Sequence, residues 1–305
     1  MIRARRSFTP VLGLTLLLAV CPPRAGSPVV AADDGGQQVR LTRPANRIVS
    51  LNPTVTELLF AIGAGRQIIG RTRWCDWPPA ALAIPSVGDG FPPNVEAVVA
   101  RHPDLAVAYS TALNEPALAQ LRNLGVPVLA LRTDRLEDFA RAARILGRVT
   151  GRSRSGDSLA ARIETAITER RHVREPGPRA PTVVILTWDT PPIAIGHESY
   201  LHQVVELAGG RNLFGDVGRS SFPVSLEAIA ERNPDLLLVI GGLRATILQR
   251  PEWRAVRAVR DGGVLALDDP ALARPSFRAL DGVAPLRARL SHFVSSSSSS
   301  SEIVR

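Results

Sequence analysis

The chain carries two copies of one sequence pattern. FPPNVEAVVARHPDLAVA (residues 91–108) and FPVSLEAIAERNPDLLLV (222–239) align at a constant offset of 131 positions. A shorter pair upstream, residues 64–70 and 209–215, aligns at an offset of 145 positions. A repeated unit folds in the same way each time it occurs, so the pattern predicts two lobes built on one plan.

Each predicted lobe alternates short apolar runs with amphipathic segments. This alternation is typical of parallel sheets flanked by helices, and the predicted fold class is α/β with two similar lobes. The predicted strands are 48–51, 105–109, 126–131, 182–188, 236–240 and 264–267. The predicted helices are 54–62, 94–101, 200–207 and 226–231, with Asn94 and Ser225 at N-cap positions.

The segment between the lobes predicts a stiff connector. Residues 137–176 are rich in Ala, Arg, Leu, Ile and Glu, and the part from 157 to 174 places Leu159, Ile163 and Ile167 on one helical face. A helix of about 20 residues spans about 30 Å, which is enough to join two lobes. We therefore expect one long backbone helix here.

The two ends of the chain differ from its body. A basic start followed by the apolar run 11–20, too short to span a membrane, predicts a signal peptide over residues 1–32 and an extracytoplasmic location. Leu18 to Cys21 resembles a lipoprotein processing site, although Val20 is bulkier than expected before a lipidated cysteine. We expect a flexible segment at 33–45, lobes at 46–136 and 177–294, and a disordered serine-rich tail at 295–305.

The positive charge of the chain does not predict a nucleic-acid partner. The formal net charge is +9, and all 37 basic residues are Arg because the chain has no Lys. Four of these arginines lie in the predicted signal peptide, and many others stand close to Asp or Glu. Scattered charge of this kind is typical of a solvated surface.

An insertion distinguishes the first repeat from the second. Between the matched positions, 14 extra residues fall within 71–90 of the first lobe, and they include RWCDWPP at 73–79. The two tryptophans, Trp74 and Trp77, could be core, but the stretch lacks amphipathic periodicity and burying Asp76 would be costly. The pattern favours a rigid ligand-facing loop, with Cys75 as a packing residue.

Several motifs together resemble a known family. RIVSLNPTVTELLFAIGAGRQIIG (47–70), CDWPPAA (75–81) and VGDGFPPNVEAVVARHPDLAVAY (87–109) are similar to the ABC-transporter periplasmic substrate-binding proteins of the helical-backbone class, also called class III. The similarity is greatest to the cobalamin-binding members. It implies a monomeric solute receptor that holds its ligand in a cleft between the lobes and delivers it to the membrane subunits of an importer.

Candidate ligand contacts follow from the residues and from this resemblance. Tyr109 and Trp188 stand where strands end, and ligands of open α/β sheets bind at that edge. Phe91 and Phe222 match each other across the repeat, and the resemblance implies polar contacts after the last strand, although Asp269 could equally cap a helix. The predicted ligand-binding set is Trp74, Asp76, Trp77, Phe91, Tyr109, Trp188, Phe222, Asp269 and Arg274.

Two glutamates match between the lobes. In the family, one surface Glu on each lobe docks into the membrane subunits, and the matching positions here are Glu96 and Glu227. The simpler interpretation is that each carboxylate stabilises the positive end of a helix. Both interpretations fit the sequence.

Other ligands and functions remain as alternatives. Haem would use Tyr109 as an iron ligand, and a ferric siderophore would use a basic cluster of Arg71, Arg73 and Arg274. An exported α/β hydrolase or metalloenzyme is a third class, but the chain has no Gly-x-Ser-x-Gly or His-Glu-x-x-His motif. We therefore expect no catalytic residues, no resident metal and no cofactor.

Overall fold

The structure is a computed structural model that describes residues 28–173 and 180–302. Its first element is an antiparallel hairpin of β1 (Val29–Ala32) and β2 (Gln38–Leu41). The turn between these strands contains the sequence DDGG, in which Gly36 adopts a positive φ of 81°. Asp and Gly are typical of such turns, because Gly reaches positive φ without a steric cost.

This hairpin corrects the expectation of a flexible segment at 33–45. Ala31, Val39 and Leu41 are buried in the largest hydrophobic cluster, which contains residues of both lobes. The backbone N–H of Asp34 donates to the carbonyl of Ala130 at 2.9 Å, which fixes the turn beside the first sheet. The predicted signal-peptide boundary after residue 32 therefore falls inside an ordered, packed element.

The first lobe contains a parallel sheet of four strands. They are β3 (Ile48–Ser50), β4 (Ile68–Arg71), β5 (Leu105–Tyr109) and β6 (Val128–Leu131), in the order β4-β3-β5-β6. Its helices are α1 (Pro53–Ala61), α2 (Val95–Val99) and α3 (Glu115–Asn123). The strands are almost wholly buried on both faces, as expected of a parallel sheet covered by helices.

Two helices, not one, occupy the predicted connector. α4 (Leu136–Val149) is followed by α5 (Ser153–Val173), and the second is the long helix that leads out of the first lobe. The two helices pack closely where Gly147 meets Gly156, since a Cβ atom at Gly156 would lie 2.6 Å from the carbonyl oxygen of Ala143. Small residues at this crossing let the helix backbones approach each other.

The second lobe contains a mixed sheet of six strands. They are β7 (Thr182–Asp189), β8 (Pro192–Ile195), β9 (Arg211–Asn212), β10 (Ser221–Pro223), β11 (Leu236–Ile240) and β12 (Val264–Leu267). The order is β10-β8-β7-β11-β12, with β9 beside the start of β7. The predicted strands β7, β11 and β12 are parallel as expected, and the unpredicted β9 is parallel to β7, but β8, also unpredicted, is antiparallel to both of its neighbours. A short β7–β8 hairpin explains this difference, because antiparallel strands need only a tight turn.

The helices of the second lobe are α6 (Tyr200–Leu207), α7 (Leu226–Arg232), α8 (Leu243–Gln249), α9 (Arg257–Arg260) and α10 (Val283–Glu302). The last of them corrects the prediction of a disordered tail, since it continues through the serine run to Glu302. At its start the run is tied to the helix, because the hydroxyl of Ser295 donates to the carbonyl of Ser291 at 3.0 Å. Throughout the described residues, we find no helix that is both long and apolar enough to cross a membrane.

The predicted repeat is visible in backbone detail. The helices α2 and α7 are capped in the same way, by the side chains of Asn94 and Ser225. The residues that precede Pro103 and Pro234, His102 and Asn233, adopt left-handed conformations with φ values of 47° and 49°. The two lobes are therefore equivalent at these positions, and the predicted fold class is confirmed.

Candidate ligand-binding cleft

A cleft of about 770 Å³ lies between the lobes. Its lining includes Asn52, Tyr109 and Asp134 from the first lobe and Ser199 and Ile240 from the second. The first three lie at or just beyond the carboxyl ends of β3, β5 and β6, and Ile240 is the last residue of β11. Open α/β sheets bind ligands at this edge, so the cleft is the candidate site.

Arg71 organises the inserted loop from inside the protein. Its buried guanidinium donates to the carbonyl oxygens of Ala81 and Thr72, both at 2.9 Å. These bonds tie the two ends of the loop together. The structure thus excludes Arg71 from the basic cluster considered for a siderophore and makes it the anchor of the loop.

The inserted loop divides its side chains between the core and the cleft. Trp74 lines the cleft and is 55% exposed, whereas Cys75 is completely buried. The Cys75 sulfur lies 3.1 Å from the hydroxyl oxygen of Thr72, and burial raises the pKa of this thiol. Cys75 is therefore the packing residue that we expected, since a buried protonated thiol is unreactive.

Asp76 and Trp77 contact the second lobe instead of lining the cleft. The guanidinium of Arg274 donates to the two carboxylate oxygens of Asp76, at 2.6 and 3.2 Å, and to the carbonyl oxygen of Trp74 at 2.9 Å. The guanidinium carbon of Arg278 lies 4.5 Å from the centre of the Trp77 ring, a cation–π distance. The insertion therefore bridges the two lobes at the rim of the cleft.

Tyr109 and Asp134 form a polar pair inside the cleft. The Tyr109 hydroxyl donates to Oδ1 of Asp134 at 2.7 Å. Burial, followed by the bond to this carboxylate, raises the pKa of Tyr109 far above its usual range. Burial also raises the pKa of Asp134, and the negative charge of Asp138 adds to this effect.

Four of the predicted ligand contacts line the cleft together: Trp74, Phe91, Tyr109 and Arg274. The other predicted contacts lie outside it. Trp188 is exposed, with its indole N–H donating to the carbonyl of Thr190 at 3.0 Å, and Phe222 packs edge-on against Phe214 at 5.4 Å. Asp269 accepts a bond from the backbone N–H of Ala271 at 2.8 Å and so closes a turn, which corrects the alternative that it caps a helix, since no helix begins there.

Sequence reasoning missed other residues of the lining, above all Asp134 and Tyr200. Asp134 lies just beyond the carboxyl end of β6, which was a predicted strand. Its position after that strand could therefore have predicted that it lines the cleft. Tyr200 begins α6, and its hydroxyl donates to the carbonyl of Leu272 at 2.8 Å. Nothing in the local sequence distinguishes this tyrosine from a core residue.

The two predicted docking glutamates occupy equivalent exposed positions. Glu96 lies in the first turn of α2, and Glu227 lies in the first turn of α7. Hydrogen bonds from its own backbone amide and from Ser225 hold the pKa of the Glu227 carboxyl below its usual range. Both carboxylates are therefore presented to solvent at helix N-termini.

Across the described parts of the chain, the structure contains no group of three or more His, Cys, Asp or Glu side chains placed to hold a metal ion. The rings of His197 and His202 lie 4.8 Å apart. Nδ1 of His202 lies 3.3 Å from the side-chain amide nitrogen of Asn212, so the two histidines belong to the packing of the second lobe.

Comparison with known proteins assigns the family. Residues 48–271 match the family described as "Periplasmic binding protein". The chain belongs to this family. Membership confirms the predicted class, a two-lobed binding protein, and places the protein outside the cytoplasm.

Several periplasmic binding proteins are similar over most of the chain. A vitamin B12-binding protein of Pectobacterium atrosepticum is 30% identical over 200 residues, which cover 64% of this chain and 71% of the relative. The crystal structure of the vitamin B12-binding protein BtuF of Vibrio cholerae is 26% identical, with a TM-score of 0.70 and coverage of 82% and 98%. The apo structure of the haem-binding protein RhuT from Roseiflexus is 26% identical, with a TM-score of 0.72 and coverage of 82% and 99%.

Proposed function

We propose that this protein is the extracytoplasmic receptor of an ABC importer, which binds cobalamin or a related corrinoid in the cleft and delivers it to the membrane permease. The observation that carries the proposal is the composition of the cleft. Exposed aromatic faces and polar side chains from both lobes line a cavity of about 770 Å³. Relatives named for vitamin B12 binding support the same ligand class.

The aromatic side chains of the cleft suit a large ring ligand. Trp74 and Phe91 line the cavity with more than half of their surface exposed to solvent. Exposed aromatic surface of this kind is typical of binding sites, because covering it with an apolar face is favourable. The polar groups of Tyr109, Asp134 and Arg274 would then contact the periphery of the ring, where a corrin carries its amide side chains.

Haem is the second candidate, and it is supported by the likeness to a haem-binding structure. The cleft itself favours the corrinoid. A ferric haem ligand at Tyr109 would have to be a phenolate, but the hydroxyl of this residue is bound to Asp134 and its pKa is strongly raised. The arginines that would bind an anionic siderophore are paired with carboxylates, Arg73 with Asp89 and Arg274 with Asp76.

Delivery to the importer requires a docking surface, for which we propose Glu96 and Glu227. Each lies in the first turn of an equivalent helix, one on each lobe, and each is exposed. A carboxylate at such a position is available to an arginine of a membrane subunit. Each glutamate can also stabilise the N-terminus of its own helix. This structural role is compatible with docking.

Export by a signal peptide and lipid attachment at Cys21 remain part of the proposal. Cys21 and residues 1–27 of the signal peptide proposed for 1–32 lie outside the described residues. A monomeric receptor is the corresponding proposal for the oligomeric state, since one chain supplies both walls of the cleft.

Calorimetric titration of the purified protein with cyanocobalamin and with haemin tests this function, with visible absorption spectra as a second readout. We expect cyanocobalamin to bind at one site with a Kd well below micromolar. Tight binding of haemin beside micromolar or weaker binding of cyanocobalamin would contradict the corrinoid assignment.

A further inference from the structure

We infer that Asp134 is a specificity-determining residue, which selects ligands that present a neutral or cationic hydrogen-bond donor to its carboxylate and rejects ligands that bring a carboxylate there. The inference rests on the proposed function only in taking the cleft as the binding site. The selected groups are the peripheral side chains of the ligand ring, so the same selection applies to a corrin and to a porphyrin.

The arginines of the cleft are already neutralised. Arg73 forms an ion pair with Asp89, and both residues line the cavity. Arg274 forms a two-bond pair with Asp76. A planar guanidinium matched to two carboxylate oxygens is a strong arrangement, so Arg274 has little capacity left for a second carboxylate.

Asp134 is the carboxylate of the lining that lacks such a partner. Its Oδ1 accepts the Tyr109 hydroxyl, and among the described residues no arginine, lysine or histidine nitrogen lies within ion-pairing distance of its carboxylate. The cleft lining therefore carries one uncompensated negative charge.

The groups around Asp134 do not form an ion pair with its carboxylate. Asp138 from α4 is paired with Arg141, and Glu198, which precedes α6, is paired with Arg135. Arg132 reduces the pKa of Asp134 from a distance but forms no ion pair with it within the described structure. Because Asp138 and Glu198 are each paired with an arginine, their charges are largely compensated, and Asp134 is the carboxylate of the described lining that has no ion-pair partner.

A half-buried, uncompensated carboxylate acts on a ligand in two ways. It accepts hydrogen bonds strongly from amide, hydroxyl or ammonium groups, because one partner of each bond is charged. It also repels a carboxylate at short range, and this repulsion is larger in a partly desolvated cleft than in water. Amide and carboxylate groups have nearly the same size and shape, so a ligand pair that differs only in this group isolates the effect.

The experiment compares amides with carboxylates on two rings. Calorimetry would measure binding of cyanocobalamin against its monocarboxylate derivatives, each with one peripheral amide hydrolysed, and of haem against haem diamide. We expect at least one corrin monocarboxylate to bind about tenfold more weakly than cyanocobalamin, and haem to bind about tenfold more weakly than its diamide. Asp134→Asn keeps the acceptor for Tyr109 but removes the charge, and should reduce both preferences to less than about threefold.

The matched control is Asp157→Asn, which removes an exposed carboxylate on α5 outside the cleft lining and should preserve both preferences. Equal binding of amide and carboxylate forms by the unmodified protein would overturn the inference, as would an unchanged preference in Asp134→Asn. Failure of the unmodified protein to bind any corrinoid would instead contradict the proposed ligand, and the haem pair would still decide the role of Asp134.

Discussion

The carboxylate of Glu57 in the first lobe is buried against the guanidinium of Arg278 from the second lobe. Nε and Nη2 of Arg278 donate to the two carboxylate oxygens at 2.9 and 3.1 Å, and the side chain of Glu57 is only 2% exposed. The hydroxyl of Ser276 donates to the same carboxylate at 2.6 Å. This two-bond pair, with its buried carboxylate, links the first lobe to the second.

Removing one charge of this pair should be costly. We expect Glu57→Gln to lower the free energy of unfolding by about 3–5 kcal/mol, because it leaves a partly buried guanidinium without its charged partner. Urea denaturation measures this quantity. Asp216→Asn, which breaks an exposed pair with Arg232, is the control and should cost less than about 1 kcal/mol. Equal effects of the two substitutions would show that the interlobe pair is no stronger than a surface pair.

The two tryptophans of the inserted loop should have different effects on binding. Trp74→Ala removes an aromatic face from the cleft, and we expect about a tenfold loss of affinity for cyanocobalamin with little change in melting temperature. Trp77→Ala removes the partner of Arg278 at the rim and should change the affinity less than threefold. Calorimetry and thermal denaturation of both variants measure these effects. A larger loss for Trp77→Ala would place the ligand on the other side of the loop.

The buried His202 should make stability depend on pH. Burial lowers the pKa of His202 from 6.5 to about 4. The unfolded chain therefore binds this proton more readily than the folded one between these values, and the contribution of His202 to stability is present above pH 6.5 and lost as the pH falls towards 4. Each pKa unit corresponds to about 1.4 kcal/mol, so the loss between pH 7 and pH 4.5 is on the order of 2–3 kcal/mol.

Urea denaturation at pH 7 and pH 4.5 checks this expectation by comparing variants. His202→Gln should weaken the pH dependence, whereas His292→Gln, an exposed position on α10, should leave it unchanged. The same pH dependence in all three proteins would exclude His202 as its source.

The paired glutamates should be needed for transport but not for binding. We expect the double substitution Glu96→Ala and Glu227→Ala to abolish uptake of labelled cyanocobalamin by the source cells while the Kd of the purified protein stays unchanged. Glu231→Ala, an exposed glutamate later in α7, is the control and should support normal uptake. Normal uptake by the double variant would assign both glutamates to helix stabilisation alone.

Six of the twelve described strands and the helices α1, α2, α6 and α7 were predicted, because apolar runs and helix caps are local signals. Strand β5 and helix α6 have the predicted bounds, since an apolar run or a cap defines each end. The hairpin over residues 29–41 was missed because the apolar residues of β1 were assigned to the predicted signal peptide. The antiparallel β8 was missed because it is only four residues long and begins at Pro192, and proline weakens the sequence signal for a strand.

The site was harder to predict because it depends on side-chain direction in loops. Trp74 and Trp77 are three residues apart in an irregular segment, where no periodicity relates sequence spacing to a shared face. The structure directs one into the cleft and the other towards Arg278. Asp269 and Asp134 both follow predicted strands, yet only the second lines the cleft, because the first caps its own turn.

A crystal structure of the complex with cyanocobalamin tests the central claim most directly. The proposed function places the corrin between the lobes, within about 4 Å of Trp74 and Phe91. The peripheral amide groups of the corrin should then lie near Arg274 and Asp134. A corrin bound outside this cleft, or a cleft that stays empty in crystals grown at saturating cyanocobalamin, would contradict it.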